Sequence, residues 1–150
     1  AVNTIDFSGP TAVGSNTDLA AAVESVIRSM GRADRSQPLE GVRALILGAG
    51  GVARAIATGL TQQGALCIIT GPFPEGLLGH MVVFDTIYNP EQTLLIKQAR
   101  AAGCAVITGV DMFIRQAALQ YQIFTEQKQK APVEVMRSEL MRRTGAAQES

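Results

Sequence analysis

The sequence predicts an α/β fold, a doubly wound and mainly parallel sheet covered by helices on both faces. Three observations predict it. Apolar runs at 42–47, 65–70, 81–85 and 104–108 alternate with stretches of helical periodicity. Those runs, VRALIL, ALCIIT, MVVFD and CAVIT, are apolar at consecutive positions, as strands covered on both sides are. The first run also enters a glycine-rich turn, LILGAGGVARAI at 45–56, that opens a helical stretch.

Each element has a local reason. AVNTI at 1–5 is β-branched and predicts a strand, and DFSGPTAVGSN at 6–16 predicts a loop. Residues 17–30 place Leu19, Val23, Val26, Ile27 and Met30 at helical spacing, with Asn16 as cap, Asp18 in the positive first turn and Gly31 as stop. The polar stretch at 32–41 is a linker before the first sheet strand. A helix at 52–63 stops at Gly64, and another at 93–102 stops at Gly103. Residues 111–124 predict a helix with Phe113, Ala117, Tyr121 and Phe124 on one face. Pro132 suits the first turn of a last helix ending near Arg143, and TGAAQES predicts a frayed tail.

Composition bounds the function. A chain of 150 residues, 47% hydrophobic and 17% charged, suffices for one globular domain. Thirteen basic and thirteen acidic residues cancel, which argues against nucleic acid or anionic membranes as partners. There is no apolar run of membrane-spanning length and no signal-peptide order, and Ala1 begins inside an apolar stretch, as a processed form or fragment would. Cys67 and Cys104 sit in apolar runs and predict buried free thiols, hence an intracellular protein. No cluster has metal-ligand spacing, and His80 predicts a surface position. Arg137, Arg142 and Arg143 alternate with Glu134 and Glu139, which predicts a solvated helix.

The glycine turn carries the chemistry. Gly48, Gly50 and Ala53 match G-x-G-x-x-A, with Ala49, Gly51 and Val52 between them. The first glycine permits the tight turn, the second admits a pyrophosphate, and the alanine lets helix and strand pack closely. N–H groups at the helix start then face the phosphates, which makes the fold Rossmann-like. The usual acidic or basic residue that chooses the cofactor after the second strand is not visible, since TGPFPEG offers only Glu75. The 71–80 connection, with its glycines and prolines, is too short for a helical crossover. Either the flanking strands meet through an unusual antiparallel turn, or two βαβ-type steps of roughly 30 residues each are missing.

AVNTI, GSNTD, ILGAGGVARA, VVFDTIYNP and GVDMFIRQAALQYQIFTEQ, in that order, resemble the NADP-dependent shikimate dehydrogenase family. The wording MFIRQA is most similar to the plant form joined to 3-dehydroquinate dehydratase. The resemblance spans residues 1–143 apart from 71–78. It implies interconversion of 3-dehydroshikimate and shikimate with NADP, and localisation in the plastid for a plant protein and otherwise in the cytoplasm. It implies Asp18 as the acid–base aspartate, with Asn3, Tyr88 and Gln116 also touching substrate. Gly48, Ala49, Gly50, Gly51, Val52, Ala53, Gly109 and Met112 would serve the cofactor.

The implied layout is a remnant edge of a substrate domain with a hinge helix at 1–31, the linker at 32–41, a truncated NADP domain at 42–110 and returning helices at 111–150. Several features depart from the family. Its catalytic lysine precedes AVNT, its NRT-like segment after the second strand is missing, and Ala21 stands where glycine is usual. The resemblance therefore implies a fold incomplete relative to the family, with weak or no activity in these residues alone and self-association through an exposed sheet edge. A quinate dehydrogenase variant and a non-catalytic nucleotide-binding fragment are the alternatives.

Overall fold

The computed structural model describes residues 2–70 and 80–146, so the predicted irregular connection at 71–80, all but His80, and the last residues of the tail lie outside the described part. Strands β1 (Thr4–Asp6) and β2 (Val13–Ser15) pair antiparallel, Thr4 opposite Ser15. Helix α1 (Thr17–Ser29) follows, then β3 (Arg43–Leu47), α2 (Gly51–Gln62) and β4 (Leu66–Thr70). After the undescribed stretch come β5 (Val82–Phe84), α3 (Leu94–Ala101), β6 (Ala105–Ile107), α4 (Gly109–Phe124) and α5 (Val133–Ala146).

Helix signals operate as the sequence predicts. The Asn16 side chain accepts the Leu19 N–H at 2.9 Å, and Gly31 adopts φ +62°. Thr93 caps α3 by accepting the Ile96 N–H, and Gly103 adopts φ +78° beyond its end. Helix α4 starts at Gly109 rather than at 111, because Thr108 and Asp111 form a reciprocal capping box.

Other expectations are corrected. The predicted loop at 6–16 contains β2. Asp6 Oδ1 accepts the Ser8 N–H at 2.8 Å and turns the chain, and pairing with β1 then recruits Val13–Ser15, too short for a pattern of its own. The linker is not merely polar: Leu39 is fully buried and its N–H donates to the Gln63 carbonyl at 2.9 Å. On α4 the deepest residues are Gly109, Val110, Met112 and Ile114, whereas Phe124, on the face it shares with Phe113, Ala117 and Tyr121, is 65% exposed.

The sheet departs most. In place of one sheet covered on both sides there are separate parallel pairs, β3–β4 with Leu45 opposite Ile68, and β5–β6 with Val83 opposite Val106. No hydrogen bond joins β3 to β5 among the described residues. The doubly wound order 3-2-1-4-5-6 explains this. If β3 and β4 are strands one and two, and β5 and β6 are five and six, a fourth strand, which no described residue supplies, belongs between β3 and β5. One face of the first pair is also bare: Leu45, Leu47, Leu66 and Ile68 are 47%, 40%, 62% and 53% exposed.

A common core nevertheless underlies both pairs. Ala21 and Ala22 of α1, Leu39, Ile56 and Leu60 of α2, Ala65 and Met112 cluster together. Val42, Ala44, Ile46 and Cys67 pack on this cluster from the first sheet, and Phe84 from the second. Full burial of a side chain such as Leu39 stabilises by about 1.5–3 kcal/mol. Helices α1 and α2 approach closely at Gly59, where a Cβ would lie 2.4 Å from Leu19 Cδ1 and 2.6 Å from Val23 Cγ2.

Candidate functional site: a glycine turn and an amide–hydroxyl network

The parallel strand β3 delivers the chain into the turn. Gly48 has φ +102°, a backbone state that L side chains rarely adopt, so the first glycine is conformational. Gly50 is different. Its φ of −68° and ψ of 178° suit any residue, and a Cβ there or on Gly51 would meet nothing within 4 Å. The freedom it preserves is space outside the protein. Gly50 caps α2 without a side chain, and the N–H of Arg54 makes the first intrahelical bond, to the Gly50 carbonyl at 3.1 Å. The N–H groups of Gly51, Val52 and Ala53 therefore face that open space at the positive end of α2. A pyrophosphate fits this arrangement in size and charge. Arg54 is exposed in the first turn.

The second constellation lies at the start of α1. The Asn3 amide bridges β1 to that helix: its Oδ1 accepts the Thr17 N–H at 2.9 Å and the Thr4 hydroxyl at 3.0 Å, and its Nδ2 donates to Thr17 Oγ1 at 3.0 Å. Thr17 is 3% exposed, and its hydroxyl reaches Gln116 Oε1 of α4 at 3.4 Å. Gln120, one turn further, donates to Thr4 Oγ1 at 3.1 Å. Asn3 and Gln116, 113 positions apart in sequence, thus share one hub. Asp18 follows Thr17 in the first turn of α1, half-buried.

The third part is the segment 85–93 with the start of α4. Asp85 accepts the Ile87 N–H at 3.0 Å and the Thr93 hydroxyl at 2.6 Å, holding both ends of the turn. The Tyr88 ring packs on Phe113 with centroids 4.8 Å apart. A Cβ on Gly109 would sit 2.3 Å from the Ile87 carbonyl, so glycine is what lets α4 start against this segment. Met112 lies in the buried core. Asp111 is held below the ordinary carboxylate range. Burial opposes its charge, but the Arg137 guanidinium at 2.7 Å and the N–H and hydroxyl of Thr108 outweigh that cost.

Among the site residues predicted from sequence, the structure joins Asn3 with Gln116 through Thr17, and sets Tyr88 against α4 by way of Phe113. Gly48 to Ala53 form their own turn. Sequence reasoning missed Thr17 and Thr108. Thr17 lies inside the NTD motif, and Thr108 begins a T-x-x-D capping signature, so both had a signal. Among the described residues no group of His, Cys, Asp and Glu could hold a metal.

A parallel strand feeding a glycine turn and the N-terminus of a helix, in one fold with a carboxylate and two side-chain amides, defines a Rossmann-like α/β protein. Residues 109–141 match the Shikimate 5'-dehydrogenase C-terminal domain. The NADP(+)-dependent shikimate dehydrogenase of Halobacterium salinarum is 31% identical over 191 residues, covering 95% of this chain and 69% of the relative. The chain belongs to the shikimate dehydrogenase family. The enzyme of the same name from Maridesulfovibrio salexigens is 29% identical over 174 residues, covering 83% of this chain.

A solved shikimate dehydrogenase in complex with NADP+ superposes with a TM-score of 0.80 at 25% identity, over 96% of this chain and 67% of that one. The shikimate dehydrogenase of Thermus thermophilus, solved with NADP(H) and shikimate, shares the fold with a TM-score of 0.70 at 24% identity, over 96% of this chain and 68% of that one. The chain spans 61% of the length of the Maridesulfovibrio relative and 66% of one from Methanocella arvoryzae. The match to the Bacillus subtilis relative runs over 202 residues while using 99% of a 150-residue chain. The surplus is made of residues of the relative with no counterpart here, and the divided sheet fits their being internal.

Proposed function

We propose that this chain is the cofactor-binding portion of a shikimate dehydrogenase, interconverting 3-dehydroshikimate and shikimate with NADP in the complete site. The observation that carries the reading is the glycine turn. Its Cβ positions face open space and its helix start offers N–H groups that no described residue accepts from. NADP, when bound, supplies or accepts the hydride. Gly48 to Ala53 hold its pyrophosphate, and Gly109 and Met112 border the nicotinamide end. Asp18 takes or returns the proton of the alcohol that becomes a ketone, as a carboxylate within hydrogen-bond reach can. Asn3, Tyr88 and Gln116 hold the hydroxyl-bearing ring. In this reading 1–31 is an edge of the substrate domain with its hinge helix, 32–41 the linker, 42–110 the cofactor unit and 111–150 the return.

The chain's lysines, Lys97 on α3 and Lys128 and Lys130 after α4, lie in none of these motifs. General acid–base help is typically worth about 10²–10⁴-fold, so turnover by these residues alone is weak or nil. Cys67, half-buried, and Cys104, buried, are not joined as a disulfide, which fits a reducing, intracellular compartment, and no helix among the described residues is long and apolar enough to cross a membrane. The bare apolar face of β3–β4 carries self-association.

The divided sheet favours a second reading, a nucleotide-binding protein that catalyses nothing. Calorimetric titration with NADP and NAD, beside an absorbance assay of shikimate oxidation, separates the two. Nucleotide binding with weak turnover is expected. Binding with no turnover at all selects the second reading, and absence of binding by either nucleotide refutes both.

A further inference from the structure

We propose that Thr17 is a positioning residue that turns the Asn3 and Gln116 amides so that both present N–H groups, not carbonyls, to the ligand. The inference rests on the substrate reading above and adds the polarity of recognition to it.

Counting donors and acceptors gives the result. The Thr17 backbone N–H can only donate, so the Asn3 atom that meets it at 2.9 Å is the carbonyl oxygen. That oxygen also takes the Thr4 hydroxyl at 3.0 Å, which fills both of its lone pairs. Asn3 Nδ2 then donates one hydrogen to Thr17 Oγ1 at 3.0 Å. Asn3 is exposed, and the hydrogen left over on Nδ2 is the one side-chain polar function for which no described residue is a partner. Thr17 Oγ1 lies 3.2 Å from Asn3 Oδ1 and 3.4 Å from Gln116 Oε1. With Asn3 Oδ1 already filled, the hydroxyl hydrogen goes to Gln116, over a long bond. Gln116 thereby keeps its carbonyl toward the hub and its NH₂ free. Thr17 is buried, so water does not compete for the hub. The two amides therefore act as donors toward a ligand, and the acceptor in the same first turn is Asp18. Such a set selects an oxygen-rich, uncharged polyol face that accepts twice and gives one hydroxyl proton to the carboxylate. A ring bearing an ammonium in place of the accepting hydroxyls finds no partner on the amides.

Side-chain amide resonances of the ¹⁵N-labelled chain test this. In the wild type, Asn3 should show one slowly and one rapidly exchanging amide proton. Equal, fast exchange of both overturns the proposal and needs no variant. Thr17→Val keeps the branched shape and the backbone N–H while removing the hydroxyl. It should shift the Asn3 and Gln116 amide signals, and Thr17→Ser should restore them; unchanged signals in Thr17→Val overturn the hub. Shikimate should then shift the Nδ2 and Nε2 signals of the wild type, and an amino-deoxy analogue lacking the accepting hydroxyls should not. If Asn3 exchange and the Thr17→Val response are as expected but shikimate shifts neither amide, the hub stands, and the assignment of this site to substrate falls.

Discussion

Gly50 and Gly109 both stand at helix starts, and the space around each separates their roles. A Cβ on Gly50 meets nothing, while one on Gly109 strikes the Ile87 backbone. Gly50→Val should therefore cost no more than about 1 kcal/mol of stability, the scale of a poorer N-cap residue. It should abolish calorimetric binding of both NADP and NAD, because its branches occupy the pyrophosphate position. Gly109→Ala should instead lower the denaturation midpoint by the equivalent of about 1–3 kcal/mol, the usual cost of overpacking. Retained nucleotide binding in Gly50→Val would refute the assignment of the turn. The same titrations should show little preference for NADP over NAD, since the sequence TGPFPEG after the second strand of the glycine-turn unit offers only Glu75 and no basic residue for a 2′-phosphate. The turn was legible because its spacing is local, three glycines and an alanine within six residues. The Asn3–Thr17–Gln116 hub was not, because a hydrogen bond across 99 positions leaves no periodicity to read.

Helix α1 illustrates what pattern reading sees and misses. The large residues Leu19, Val23, Val26, Ile27 and Met30 mark a helix correctly. Its deepest positions are Thr17, Ala21, Ala22 and Ser25, small residues that hydrophobic periodicity discounts and that allow neighbouring elements to come close. Ser25 satisfies its own hydroxyl on the Ala21 carbonyl at 2.7 Å. On α4 likewise, Val110 and Ile114 are buried while the larger Phe124 is exposed.

Helix α5 is tied to α4 by the Arg137–Asp111 pair, with both side chains 38% exposed, so screening keeps its worth below about 1 kcal/mol. The Asp111 carboxyl is held below its ordinary value of 3.8 in the folded chain. Its contribution is therefore complete above that value and fades as the pH falls through the lower folded value. Arg137→Ala should destabilise at neutral pH and differ less from the wild type in strong acid, by urea unfolding at both. An undiminished difference in acid would show that Arg137 acts through packing instead.

At the scale of the molecule, the alternation of apolar runs and helices gave the class correctly, together with the parallel direction of both strand pairs. A break in the sheet was legible only as one of two alternatives, from the short 71–80 connection, because a strand's pattern reports its own burial and not which neighbour it has. Consecutive apolar positions also suggested cover on both faces, yet Leu45, Leu47, Leu66 and Ile68 lie open. Light scattering should find association that grows with concentration, and Leu45→Lys with Ile68→Lys should reduce it without loss of helical signal. A wild type that stays monomeric at high concentration would refute self-association. The division of the sheet also bears on how the chain assembles. Each half, β3–α2–β4 and β5–α3–β6, is a complete strand–helix–strand unit whose pairing closes only a short span of sequence. In a continuous sheet the central pairing joins strands remote along the chain, the kind of contact whose loop-closure entropy slows folding. Among the described residues no such central pairing forms. The halves can each form early and meet through α1, which touches α2 of the first half and β5 and β6 of the second.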